Sequence, residues 1–122
     1  MHKHSHVILI IENKEHKYLQ YFDKRWNSFL FLNIKVNKEN FEDDIYDFLI
    51  NQFNINKNQI QLISLFDKIH TKYSESSKTK KEYHHFFYKV IIKELEFFLN
   101  QSTLIYEKEY TWLDFSEMEK NA

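Results

Sequence analysis

The chain has 122 residues, 17 Lys and Arg against 18 Asp and Glu for a net charge of −1, and no Gly, Pro or Cys. Without Gly there is no P-loop, no glycine-based dinucleotide fingerprint and no EF-hand turn, and without Cys no disulfide, thiolate zinc site or cysteine nucleophile. The near-even charge balance excludes a generalised attraction to duplex nucleic acid or to an anionic membrane.

In chain order, His6–Glu12 reads as a strand centred on the apolar run Val7–Ile11, which is too short to span a bilayer or form a signal-peptide core. Asn13–His16 is a polar turn in which Asn13 best suits a left-handed backbone. Lys17–Phe22 is a second strand, expected to form a hairpin with the first. Asp23–Asn27 is a loop carrying the lone Arg25 and Trp26. Ser28–Leu32 is a third strand, and Asn33–Asn40 a polar loop. Phe41, Ile45, Phe48, Leu49 and Phe53 then fall on one face of an amphipathic helix. Asn40 stands at its N-cap with Asp43 three residues on, and Asn54 suits a left-handed C-cap. Gln59–Ile69 reads as a strand, Ser74–Lys81 as an exposed loop, and Glu82–Ile92 as a strand dense in aromatics. Lys93–Asn100 fits either a helical turn or an edge segment. Leu104–Trp112 is strand-like, and Ser116–Lys120 a short helix with Ser116 as N-cap and Glu119 at N3. The order β-β-β-α-β-β-β-α, without internal repeats, predicts one α/β (α+β) layered domain over residues 1–122.

Lys68, Lys72, Lys78, Lys80 and Lys81, with His70, concentrate positive charge around the loop at 74–81. They make either a solvated loop or a basic flap over a phosphate-bearing ligand. Trp26 with Arg25, and Tyr73 or Tyr83, offer planar surfaces for a base and a bidentate phosphate contact. Most other aromatics must be core, and Phe41, Phe48, Phe53, Phe86 and Tyr88 are assigned to packing. His84 and His85 are adjacent on a strand and so point to opposite faces, leaving one, taken as His85, to line a pocket. His2, His4 and His6 alternate onto one face, a pattern that suits a transition metal, but terminal fraying argues against such a site.

Laid on residues 33–55, the pattern G-x5-E-x7-R-E-U-x-E-E-x-G-U (U, bulky aliphatic) keeps Glu39, Leu49 and Ile55. With Trp26, the Phe29–Leu32 strand and the terminal Tyr110–Met118 segment in similar register, the chain resembles the Nudix hydrolase superfamily. The resemblance implies a Nudix-like mixed sheet sandwiched between helices. It also implies a helix whose carboxylates would hold divalent cations that polarise a pyrophosphate and activate water. Here those positions depart from the pattern: Asp47 replaces Arg, Phe48 replaces Glu, and Asn51 and Gln52 replace the two metal-binding glutamates. Asn33 and Asn54 replace the two glycines. Depleted Gly, Pro, Ala and Arg all have GC-rich codons, pointing to a low-GC genome, and Asn tolerates left-handed backbone best after Gly. Base composition does not explain the lost glutamates, since acids are plentiful elsewhere. The expectation is loss of hydrolysis, with no cofactor. The alternative is a rearranged Mg²⁺ or Mn²⁺ site built from Glu39, Asp43 and Asp47, whereas the simpler reading of such acids is a solvated first helical turn meeting the helix dipole.

A narrower resemblance rests on residues 24–33, 72–76 and Tyr83–Tyr88. These phrases look like the divergent Nudix-like domains associated with nucleotide second-messenger synthetases in bacterial anti-phage systems. That resemblance implies a sensor for a cyclic oligonucleotide or related nucleotide, a homo-oligomer, and a fused or associated membrane effector. The expected ligand-binding residues are Arg25, Trp26, Lys72, Tyr73, Lys78, Lys80, Tyr83 and His85, in a cytoplasmic protein. Two rivals stand beside it: a metal-dependent pyrophosphohydrolase acting on nucleoside diphosphate derivatives, and a pure interaction module that kept the fold for its surface.

Overall fold

Side-chain alternation builds the centre of the fold. In β1 (His2–Ile11) Ser5, Val7, Leu9 and Ile11 are buried, whereas His4, His6, Ile8 and Ile10 between them are only half-buried. The computed structural model describes residues 2–37, 41–75, 78–93, 103–105 and 108–120. After β1 come β2 (Tyr18–Asp23), β3 (Ser28–Lys35), α1 (Phe41–Phe53) and a 3₁₀ turn at Lys57–Gln59. They are followed by β4 (Ile60–Ser74), β5 (Thr79–Ile92), β6 (Thr103–Ile105), β7 (Lys108–Leu113) and α2 (Phe115–Lys120). The described strands form one mixed sheet in the order β4-β5-β1-β3-β2-β7-β6. Only β1 and β5 run parallel, and every other pair is antiparallel. This is the α+β class expected from the element order.

The helix α1 packs where its apolar spacing predicts. Ile45, Leu49 and Phe53 are buried in one cluster with Val7, Leu9, Ile11, Leu32, Tyr88, Val90 and Tyr110. Each fully buried aliphatic side chain contributes about 1.5–3 kcal/mol. The helix ends at Asn54, whose φ of 53° is the left-handed C-cap expected of it. The second helix touches the other side of the sheet. Gln20 alternates away from Leu19 and Tyr21 on β2, and its amide donates to Met118 Sδ of α2 at 3.2 Å. The five aromatics assigned to packing all belong to the core or lie against it.

Several local expectations are corrected. β2 does not pair with β1 as a hairpin. It turns back at residues 24–27 to pair with β3, and β3 lies between the two; only an isolated bridge, Glu12 to Tyr18, links the first turn's flanks. In that turn the left-handed residue is His16, at φ 60°. Asn13 instead uses its side-chain oxygen to accept from the N–H groups of Glu15 and Lys17, at 3.0 and 2.9 Å. β3 runs on to Lys35, so Asn33 is a strand residue. β1 is ordered from His2 by its ladder with β5, so its histidines belong to the sheet and not to a frayed end. Of the expected loop at 74–81, Ser74 ends β4 and Thr79, Lys80 and Lys81 begin β5, while Lys78 is a turn residue at φ 54°. The single strand expected at 104–112 is two, β6 and β7, paired with each other. The α2 cap is Asp114, not Ser116: Asp114 Oδ1 accepts from the Glu117 N–H at 2.8 Å and Glu117 Oε1 from the Asp114 N–H at 3.2 Å. The expected Asn40 cap and residues 94–100 lie outside the described residues.

Candidate functional site

The loop after β2 is organised by the last residue of that strand. Asp23 is only 7% exposed. Its Oδ1 accepts from the backbone N–H groups of Arg25 and Trp26 at 2.9 and 3.2 Å, and its Oδ2 lies 3.4 Å from the Arg25 guanidinium. Burial pushes the Asp23 carboxyl upward, but the Arg25 guanidinium and the two N–H groups outweigh it and hold the group below the usual carboxylate range. Asn27 then takes φ 51° and returns the chain into β3. The result holds Arg25 near Asp23 and leaves Trp26 71% exposed at the rim of a cavity.

That cavity, about 590 Å³, is lined from the loop and from five strands. Asp23, Arg25 and Trp26 stand at one side, with Tyr21 of β2 and Leu30 and Asn33 of β3. The Asn33 amide donates to the Tyr21 hydroxyl at 3.2 Å. The other side is set by strand register. β1 places His6 opposite His85 of β5, and β4 places His70 opposite Tyr83 of β5, with Lys72 two residues on. The His70 and Tyr83 rings stack at 5.2 Å, and the His85 ring lies 5.1 Å from His70 and 5.9 Å from His6. His6 is held below the ordinary histidine range by burial, then by the charges of His4 and Lys35. His85 is held low by burial, then by His70, His6 and His84.

Of the residues expected to meet a ligand, Arg25, Trp26, Lys72, Tyr83 and His85 line this one cavity. Tyr73, Lys78 and Lys80 do not. The pleat puts Tyr73 and its partner Lys80 on the face opposite Lys72 and Tyr83, and Lys78 sits in the turn. His84 also points away, pairing with Asp67 Oδ2 at 2.6 Å and stacking on Phe86. The sequence reading counted His70 only within the basic cluster near 74–81, and missed His6 as a lining residue and Asp23 as the residue that organises the loop. An Asp two residues before Arg25, at the end of a strand, was the available signal for that turn.

A smaller cavity, about 410 Å³, lies at the start of α1 between Phe41, Glu42, Asp43 and Tyr88. Glu42 accepts a hydrogen bond from the Tyr88 hydroxyl there. A divalent cation of the kind the family pattern implies needs several carboxylates close together. The described residues by themselves do not fit one. Asn51 and Gln52 are neutral amides on the last turn, Phe48 packs against the core, and Asp47 is exposed. Among the described residues no three His, Asp or Glu side chains converge to hold a metal ion. Glu39 lies outside the described residues.

No family model matches the sequence, and no curated protein is similar to it at the sequence level. Solved structures resemble it in fold alone. An Ap4A hydrolase from C. elegans superposes with a TM-score of 0.57 at 11% identity, over 100% of this chain and 87% of its own. The same protein in a binary complex gives 0.54 at 10% identity, over 100% and 86%. RenU, a Nudix hydrolase from M. smegmatis, gives 0.51 at 8% identity, over 98% and 74%. The fold is Nudix-like. At these identities the Nudix-like likeness is one of backbone path, and the chemistry rests on the side chains described above.

Proposed function

We propose that this chain is a non-catalytic nucleotide-binding domain, a sensor for a cyclic oligonucleotide or related second messenger in bacterial anti-phage defence. One observation carries the reading: an exposed indole, a guanidinium, a lysine, a tyrosine and an imidazole share a single cavity. The indole supplies a stacking surface for a base, and Arg25 and Lys72 supply fixed positive charge for phosphates. A nucleotide ligand class agrees with the neighbours in fold, two of which are named as Ap4A hydrolase. The neutral Asn51 and Gln52 on α1 support binding without hydrolysis.

Calorimetric titration with a panel of cyclic di- and trinucleotides tests the reading. The expected result is saturable heat with at least one of them, weakened tenfold or more in Trp26→Ala and in Lys72→Ala. No heat from any of them at high protein concentration sinks it. Sedimentation with and without the binding nucleotide tests whether recognition is read out as a change in assembly; unchanged sedimentation argues for an associated effector instead. Among the described residues no helix is long and apolar enough to cross a membrane, so a membrane effector would be a separate segment or partner. The proposed setting is the cytoplasm.

The rival is a pyrophosphohydrolase with ligands redrawn from Glu39, Asp43 and Asp47. Its support is that Asp43 lines the small cavity beside Glu42. Release of nucleoside monophosphate in Mg²⁺ or Mn²⁺, abolished by Asp43→Ala, would establish it.

A further inference from the structure

The nucleotide reading counts one imidazole of the large cavity, that of His85, but gives the row of histidines no task of its own. His6, His70 and His85 come from three neighbouring strands and meet ring to ring. His4 continues the row, stacking on Tyr83 at 5.3 Å. His4 Nε2 and His6 Nδ1 are buried without a hydrogen-bond partner, so two ring atoms of the row are left with their polar capacity unmet.

The surroundings decide what such a row can bind. The charged groups facing it are Lys35 from β3, Lys72 from β4, and Arg25 and Asp23 from the loop. His84 acts on His85 from the opposite face, and Lys68 stands opposite His85 in register on β4. Among the described residues Asp23 is the one carboxylate lining the cavity, and it is already engaged by Arg25 and two backbone N–H groups. A cation entering here would meet lysines and no free acid. An anion would meet Lys72 at once, but neutral imidazoles offer only one N–H each. Protonating a ring doubles its donors, yet an empty cavity opposes that charge through burial and through the neighbouring rings.

We propose that His6, His70 and His85 form, with Lys72, an anion subsite that takes a phosphoryl group together with a proton from solvent. The negative charge of the phosphate offsets the repulsion between the rings, so proton and anion stabilise each other's binding. This rests on the nucleotide reading, whose phosphates it would receive, and adds to it a dependence on pH. Acidification strengthens binding at this end of the cavity and leaves stacking on Trp26 unaffected. The low positions of His6 and His85 in the empty site agree with it.

The test is an NMR titration of the assigned imidazole C–H signals in the whole chain, with inorganic pyrophosphate and then with ADP. His16, whose side chain is 86% exposed, is the internal reference. In the free protein His6 and His85 should titrate below the ordinary histidine range. Saturating pyrophosphate should raise the titration of at least one of His6, His70 and His85 by about one unit, a tenfold coupling, and leave His16 unmoved. His70→Gln, at an exposed position, should reduce that shift at the remaining two rings. No response of the three rings to pyrophosphate, or a response equal to that of His16, overturns the subsite. ADP binding with equal affinity at pH 6 and pH 8 overturns it too, while the nucleotide reading stands. Ring shifts with pyrophosphate but no tighter binding of ADP or of any cyclic nucleotide would keep the subsite and overturn the nucleotide reading.

Discussion

The Tyr88 hydroxyl donates to Glu42 Oε2 at 2.8 Å, tying β5 to the first turn of α1. Burial, and then the bond to Glu42, push the Tyr88 hydroxyl above the usual tyrosine range, so it stays a donor across neutral pH. Tyr88→Phe keeps the ring and loses the bond, with an expected cost of about 1 kcal/mol in urea unfolding. A cycle with Glu42→Gln should show coupling between the two positions, and additivity would mean the bond contributes nothing.

The face of α1 makes a sharper contrast. Leu49 is completely buried and Asp47, two positions before it, is exposed. Leu49→Ala should cost about 2–5 kcal/mol and Asp47→Ala no more than about 0.5 kcal/mol, both read from the urea midpoint. A large loss at Asp47 would give that carboxylate a structural role that its exposure does not suggest.

At Asn54 the backbone, at φ 53°, sets the requirement. Asn54→Gly should leave the melting temperature unchanged or slightly raised, while Asn54→Ala should cost about 1 kcal/mol. The pair tests whether Asn stands here for its tolerance of left-handed backbone.

Acid should weaken the fold through His6 and His85. Both are held below the ordinary value of 6.5 in the folded chain, while the unfolded chain takes up protons at that value. The unfolded state therefore binds more protons below about pH 6.5, and stability falls as pH drops through that window. Thermal melts at pH 7.5 and 5.5 should differ less in His85→Gln than in the wild type.

Asp23→Asn should loosen the loop that presents Trp26. Time-resolved anisotropy of the indole is expected to show faster local motion, and any nucleotide that calorimetry finds to bind the wild type should bind more weakly. Unchanged anisotropy would show that Asp23 does not hold the loop.

Much of the fold was legible because some signals are local. The spacing Phe41, Ile45, Leu49, Phe53 fixes the helix and its buried face without reference to the rest of the chain, and Asn54 marks its end. Pairing partners are not local. The turns at 13–16 and 24–27 are both short and polar, and nothing in either says which one closes a hairpin. The end of the β4–β5 hairpin read as a loop because both its faces meet solvent, which removes the alternation that reveals a strand. The site divides in the same way. Arg25 and Trp26 stood out by residue type, and Lys72, Tyr83 and His85 by aromatic and charge clustering. His6 and His70 joined them only through the parallel register of β1 with β5 and the antiparallel register of β4. Tyr73 and Lys80 dropped out for a single reason, the two-residue period of the pleat.

The position of β1 also bears on how the chain is made. It lies inside the sheet with β3 on one flank and β5 on the other, and its partner on the β5 side lies far along the chain, His2 opposite Lys81. During synthesis β1, β2, β3 and α1 leave the ribosome first, and until Thr79 and its successors follow, one flank of β1 carries unpaired N–H and C=O groups. For that interval the nascent chain presents an open strand to its neighbours, and a binding partner for unfolded chains would find it there. Slowing translation just before codon 79 should lengthen that exposure, whereas slowing it after codon 92 should not.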